Sequence, residues 1–139
     1  MTWLLDTCVL SEYVKRAPNG RGIAWVDARP EARLFISALT LAELLRRVVK
    51  RRASDPPRAD RLAAWVRQVE ARFAGRILSF DQPAARVWAQ RYGEAEVHGV
   101  RPPLMDSLIL ATAETHGLTV VSHNISDFAG YGLIHNPWA

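Results

Sequence analysis

Residues 3–15 read WLLDTCVLSEYVK. Trp3-Leu4-Leu5 is a short apolar run closed by Asp6, the pattern of a buried strand. Val9 to Lys15 follows as a short helix, and Pro18-Asn19-Gly20 stops it with turn residues. A strand handed straight to a helix is the opening of a β-α unit, and the rest of the chain repeats that alternation.

Gly22 to Ala28 is predicted to be helical, and Arg33 to Ser37 (RLFIS) to be a second strand after Pro30. Thr40-Leu41-Ala42-Glu43 has the Ser/Thr-x-x-Glu spacing of a capping box. Leu41, Leu44, Leu45, Val48 and Val49 then recur on one helical face. Asp55-Pro56-Pro57 should end that helix. A second one carries Leu62, Trp65, Val66, Val69 and Phe73, so residues 40–75 read as a helical hairpin arm. Ile77 to Phe80 is a third strand, and Gln82 to Val97 is a helix with Pro83 in its first turn. Pro102-Pro103 opens a nearly all-apolar helix, Leu104 to Thr115, closed by His116-Gly117. Such a helix is expected to be buried. Leu118 to Ser122 is a fourth strand and Gly132 to His135 a shorter fifth. Strands alternating with helices predict an α/β protein, an α/β/α sandwich with a four- to five-stranded, mostly parallel sheet. In such folds sites lie at the carboxyl ends of the strands.

The 139 residues contain no internal repeat or low-complexity tract, so 1–139 reads as a single domain. Hydrophobic residues at 49% and charged ones at 23% exclude a disordered or collagen-like chain. No apolar run approaches the 18 or so residues of a membrane span. Met1 to Asp6 meets an acid before any base, which does not fit a secretory leader, and the cytoplasm is the expected compartment. Cys8, the single cysteine, excludes an internal disulfide and a thiolate metal cluster. His98, His116, His123 and His135 lack close ligand spacing. A metal here would need oxygen ligands. Of 18 basic residues only Lys15 and Lys50 are lysine, and the net charge is +4. An arginine-rich surface suits a polyanionic partner, since guanidinium groups grip phosphates bidentately.

Four acids lie in or beside apolar segments: Asp6, Glu43, Asp106 and Asp127. A buried carboxylate left unpaired costs several kcal/mol. One divalent cation offsets that cost for several acids at once, and Mg²⁺ and Mn²⁺ prefer such oxygen ligands. Each acid also has a local explanation. Asp6 suits the N-cap of the helix after the first strand. Glu43 suits the capping box with Thr40, or ion pairs with Arg46 and Arg47. Asp106 suits the dipole at a helix start. Asp127 suits a cap of the turn at Phe128.

LLDTCVLSE, ISALTLAELL, MDSLILATAETHGLTVVSHNISDF and the final NPW, in that order, resemble PIN-domain ribonucleases, and among them VapC-type toxins of bacterial toxin–antitoxin pairs. The likeness runs from Trp3 to Trp138. It implies a PIN-like α/β/α fold and Mg²⁺- or Mn²⁺-dependent hydrolysis of RNA. It also implies a cognate antitoxin that blocks the site, a homodimer, and possible higher toxin–antitoxin assembly. Carried onto this chain, the catalytic and metal-binding acids match Asp6, Glu43 and Asp106. The fourth position matches Asp127 or Asn124: many members have Asp where this chain has Asn124, and others have Asn there and an Asp three residues later, as here with Asp127. Thr7 and Ser107 are expected to orient the carboxylates. Arg46, Arg47, Lys50, Arg51 and Arg52, with Arg58, are candidate contacts to the RNA backbone, against the plainer reading of a solvated helix face. Cys8, where members usually carry Asn or Ser, is expected to be a small buried residue. The competing reading is a catalytically inactive protein- or RNA-binding domain on the same fold.

Overall fold

The computed structural model describes residues 1–122 and the backbone of Ile134–His135. The elements run β1 (Trp3–Leu5), α1 (Thr7–Ser11), a 3₁₀ turn (Glu12–Val14), α2 (Gly20–Asp27), and a second 3₁₀ turn (Glu31–Arg33). They continue with β2 (Leu34–Ser37), α3 (Ala38–Ser54), α4 (Pro56–Arg72), β3 (Ile77–Leu78) and α5 (Gln82–Val97), then α6 (Leu104–Thr115), β4 (Thr119–Val121) and β5 (Ile134–His135).

The sheet has five strands in the order β3-β2-β1-β4-β5, and every pairing is parallel. β1 is the central strand. Trp3 pairs with Leu34 on one side and Thr119 on the other, and Leu5 pairs with Val121. The chain leaves β1 toward β2 and β3, then crosses back to lay β4 on the far side of β1. The order of strands therefore reverses between β1 and β4, which is where open parallel sheets form crevices beyond their carboxyl ends.

Strand alternation splits the core into two layers. Leu5, Leu34, Ile36 and Val121 face α1 to α4 and join Val9, Leu10, Val26, Leu44, Val48, Val66, Val69 and Phe73. Leu4 and Val120 face the other way, against Ile109, Leu110 and Ala113 of α6. The hairpin of residues 40–75 is present as α3 and α4, and its inner face belongs to the first layer. Asp55 ends α3 and caps α4, accepting from Arg58 N, with Pro56-Pro57 filling the first turn where no amide partner is needed.

α5 and α6 begin and end where the sequence places them. Asp81 caps α5 through Ala84 N. Gly117, at φ +67°, ends α6 in a Schellman motif: Gly117 N bonds Glu114 O and Leu118 N bonds Ala113 O. Among the differences from expectation are three boundaries and one burial. α1 starts at Thr7, because Asp6 caps it, and gives way to a 3₁₀ turn instead of continuing to Lys15. α3 starts at Ala38, capped by Ser37 through Leu39 N; Thr40 lies inside the helix. The strand predicted over 77–80 closes at Leu78. Leu104 is exposed, so α6 is not buried at its first residue.

Beside the first layer, Tyr13 donates to Asp27 Oδ1 at 2.9 Å. Burial first, then that bond and the carboxylate charge, hold the phenol above its ordinary pKa. On the surface, Glu31 is held below the usual carboxylate range by the hydrogen bond and charge of Arg72. Arg29 lies over the faces of Trp3 and Trp25, whose rings meet edge to face at 5.4 Å.

A candidate carboxylate site at the sheet crossover

Asp6 is the residue after β1, and the parallel ladder fixes it there: its amide donates to Val121 O at 3.0 Å. Only 3% of it is exposed. Oδ1 accepts from Thr7 N at 2.7 Å. Oδ2 accepts from Ser122 Oγ at 2.8 Å and lies 3.4 Å from Cys8 Sγ. The local reading of Asp6 as a helix cap is therefore correct, and it accounts for one of the two oxygens. Among the described residues no Lys or Arg forms an ion pair with this carboxylate. Neutral donors surround a buried negative charge, which is the arrangement a cation completes.

Glu43 joins this group from α3. Its Oε1 accepts from Thr7 Oγ1 at 2.6 Å, and Thr7 Oγ1 also lies 3.3 Å from Thr40 Oγ1. Thr7 thus spans two acids, with its amide on Asp6 and its hydroxyl on Glu43. The capping-box reading of Thr40 and Glu43 is corrected here. Ser37 caps the helix, and Thr40, fully buried, faces α1. Nor do Arg46 and Arg47 neutralise Glu43; among the described residues neither forms an ion pair with it.

Asp106 stands in the first turn of α6. The neighbouring Ser107 hydroxyl donates to Leu104 O at 2.6 Å and accepts from Trp88 Nε1 at 2.9 Å, which ties that turn to α5. Among the described residues, no three His, Cys, Asp or Glu side chains gather closely enough to hold a metal ion. The structure brings Asp6 and Glu43 together and does not bring Asp106 into their cluster. Asn124 and Asp127 lie outside the described residues.

Two participants have no sequence expectation of their own. Ser122 follows β4, level with Asp6 after β1, and its position past Val121 in the parallel register is the signal that finds it. Ser11 donates to Thr7 O at 2.8 Å and accepts from Arg47 Nη1 at 2.6 Å. Cys8 is half-buried, not buried as expected, with Sγ 3.5 Å from Ser122 Oγ. Of the basic residues of the hairpin, Arg52 is paired with Asp60 at 2.7 Å, while Arg46, Lys50, Arg51 and Arg58 are exposed.

A parallel α/β/α sheet in the order 3-2-1-4-5, with an acid after its central strand and a second on the helix opposite, has the architecture of a PIN fold. The chain belongs to the PIN-domain family, which matches residues 3–132, and its relatives are FitB and VapC toxins. It is 38% identical to Toxin FitB of Neisseria gonorrhoeae over 137 residues, covering 97% of each chain. It is 35% identical to VapC ribonuclease Y4jK of Sinorhizobium fredii over 140 residues, covering 97% of this chain and 96% of that one. Among solved structures, the crystal structure of FitAcB from Neisseria gonorrhoeae matches with a TM-score of 0.90 at 37% identity, covering 99% of both chains. The structure of FitAB bound to an IR36 DNA fragment matches at 0.88 and 35%, covering 99% of this chain and 96% of that one. No described helix is long and apolar enough to cross a membrane.

Proposed function

We propose that the chain is a metal-dependent endoribonuclease, the toxin of a toxin–antitoxin pair, silenced by a cognate antitoxin. The observation that carries this reading is the Thr7 bridge between Asp6 and Glu43, at the sheet crossover, with no Lys or Arg among the described residues paired to the buried acid. Its relatives support it: one is named a VapC ribonuclease, and the FitAcB and FitAB structures hold a toxin of this fold.

Asp6 and Glu43, joined by Thr7, would begin a site for Mg²⁺ or Mn²⁺ that Asp106 would complete only on binding the ion, with Asp127 as the fourth acid and Asn124 as a neutral oxygen. The oxygen-only donor set fits a hard divalent cation. Bound there, the cation would polarise the phosphoryl group and lower the pKa of a bound water. The protein's own part is orientation. Thr7 fixes one oxygen of each acid, Ser122 fixes the other oxygen of Asp6, and Ser107 steadies the turn that carries Asp106. RNA as substrate puts the activity in the cytoplasm. The antitoxin would cover the acids with a basic side chain and rest on the apolar surface near Leu41, Leu45 and Trp65, where Leu45 is 47% exposed. The toxin would act as a homodimer, within a larger assembly when the antitoxin is bound.

The test is cleavage of total cellular RNA by purified, antitoxin-free protein with Mg²⁺ or Mn²⁺, and with EDTA. Discrete products in metal and none in EDTA are expected. Intact RNA with folded protein would overturn the nuclease reading in favour of an inactive RNA- or protein-binding PIN domain.

Thr7→Val keeps the shape of residue 7 and removes the hydroxyl that orients Glu43. It is expected to slow RNA cleavage about 10- to 100-fold, the usual cost of losing a partner that orients a ligand. Measured kcat with an unchanged circular dichroism spectrum checks this, and wild-type kcat would refute it.

A further inference from the structure

Two helices meet along the rim of the carboxylate site in a register set by helical spacing. Thr7 and Ser11 lie one turn apart on α1, and Glu43 and Arg47 one turn apart on α3. Thr7 bonds Glu43 and Ser11 bonds Arg47. The acid and the arginine are therefore successive rungs of one contact, about 6 Å apart along the helix axis at 1.5 Å rise per residue. Arg47 does not turn back to neutralise Glu43. Its Nη1 sits on Ser11 Oγ, whose own proton goes to Thr7 O.

A hydroxyl anchor fixes a guanidinium without cancelling its charge. That distinguishes Arg47 from Arg52, which Asp60 neutralises, and from Arg46, Lys50 and Arg51, which make no hydrogen bond to α1 among the described residues. The side chain remains exposed, so the face of the guanidinium away from Ser11 meets solvent. A polyanion approaching Asp6 and Glu43 meets two carboxylates that repel it. A fixed cation one rung away is what would hold the strand against that repulsion, and a guanidinium matches a phosphodiester with two parallel N–H donors.

We propose that Arg47 is the phosphate contact of this site, gripping the RNA backbone at a phosphodiester next to the one positioned at Asp6 and Glu43. This rests on the nuclease reading for the identity of the polymer, and its test is made separable from cleavage. The full-length protein is titrated with a short fluorescent single-stranded RNA in EDTA, at several salt concentrations. Arg47→Gln keeps a donor for Ser11 and removes the charge. It is expected to weaken binding about tenfold, the scale of a charged hydrogen bond. The slope of log K against log salt should become shallower by about 0.7, the loss of one phosphate contact on a single strand. Arg47→Lys should keep the slope, and so should Arg67→Ala, which removes an exposed arginine elsewhere on α4. A structural role for Arg47 would lower thermal stability and leave the slope alone, so an unchanged slope overturns the proposal. So does an equal change in Arg67→Ala, or wild-type protein that does not bind the RNA. Binding with an Arg47-dependent slope but no cleavage in Mg²⁺ or Mn²⁺ would overturn the nuclease reading and leave the phosphate contact standing.

Discussion

Asp6→Asn is expected to abolish RNA cleavage, lowering kcat by about three orders of magnitude, while leaving the protein folded. The size follows from what a cation site supplies: several kcal/mol of transition-state stabilisation, at 1.36 kcal/mol for each factor of ten. The retained fold follows from the second role of the same side chain. Asn is as good a helix N-cap as Asp, so the bond from Thr7 N to Oδ1 has a ready replacement. In metal-free protein the substitution also removes a buried charge that no described base pairs with, so the melting temperature should hold or rise. The pair of measurements is cleavage in Mg²⁺ or Mn²⁺ and thermal unfolding in EDTA. Cleavage within tenfold of wild type would remove Asp6 from the chemistry, and a collapse in stability would make it a structural cap.

Leu4→Ala should have the largest effect on stability. Leu4 has no exposed surface, lies on the central strand, and packs against Ile109, Leu110 and Ala113. Truncating a fully buried leucine costs about 2–5 kcal/mol, because the cavity closes only in part. In a chain of this size that lowers the melting temperature on the order of 10 °C. Urea unfolding of wild type and variant measures it directly, and a loss under 1 kcal/mol would mean that α6 settles into the gap. Leu4 faces away from Thr7, Glu43 and Arg47, so the folded fraction should keep its activity per molecule.

The helices that matched their expected bounds are those with strong local punctuation. Asp81 and Pro83 open α5, Pro102-Pro103 precede α6, and His116-Gly117 close it. Where tertiary contact competed with local pattern, local pattern lost. Thr40 and Glu43 have the spacing of a capping box, yet Ser37 is equally able to cap, and placing the start there frees both residues to face α1. That face is not visible from residues 40–43 alone, because it is made by residues 33 and 36 positions earlier in the chain. Asp6 and Glu43 stood out because a carboxylate among apolar neighbours is costly, and the cost is legible in sequence. Ser122 and Ser11 carry no such mark. A serine at a strand end or in a helix is ordinary until the fold shows what its hydroxyl touches. Asp106 stood out for the same reason as Asp6, but its place relative to the other acids depends on how α6 leans on the sheet, and that is a matter of packing.

The position of β1 also says when the site can exist during synthesis. The strand that presents Asp6 is translated well before its partner β4, which is completed only at Val121, and Asp6 and Ser122 stand 116 residues apart. A nascent chain can form α1 or the α3–α4 hairpin from local contacts as each emerges from the ribosome. It cannot enclose Asp6 until the ribosome has passed Ser122. Closing so long a loop is slow compared with forming local helices. A ribosome stalled anywhere before that point holds a chain whose carboxylate is still in water, so unfinished copies hold no assembled site.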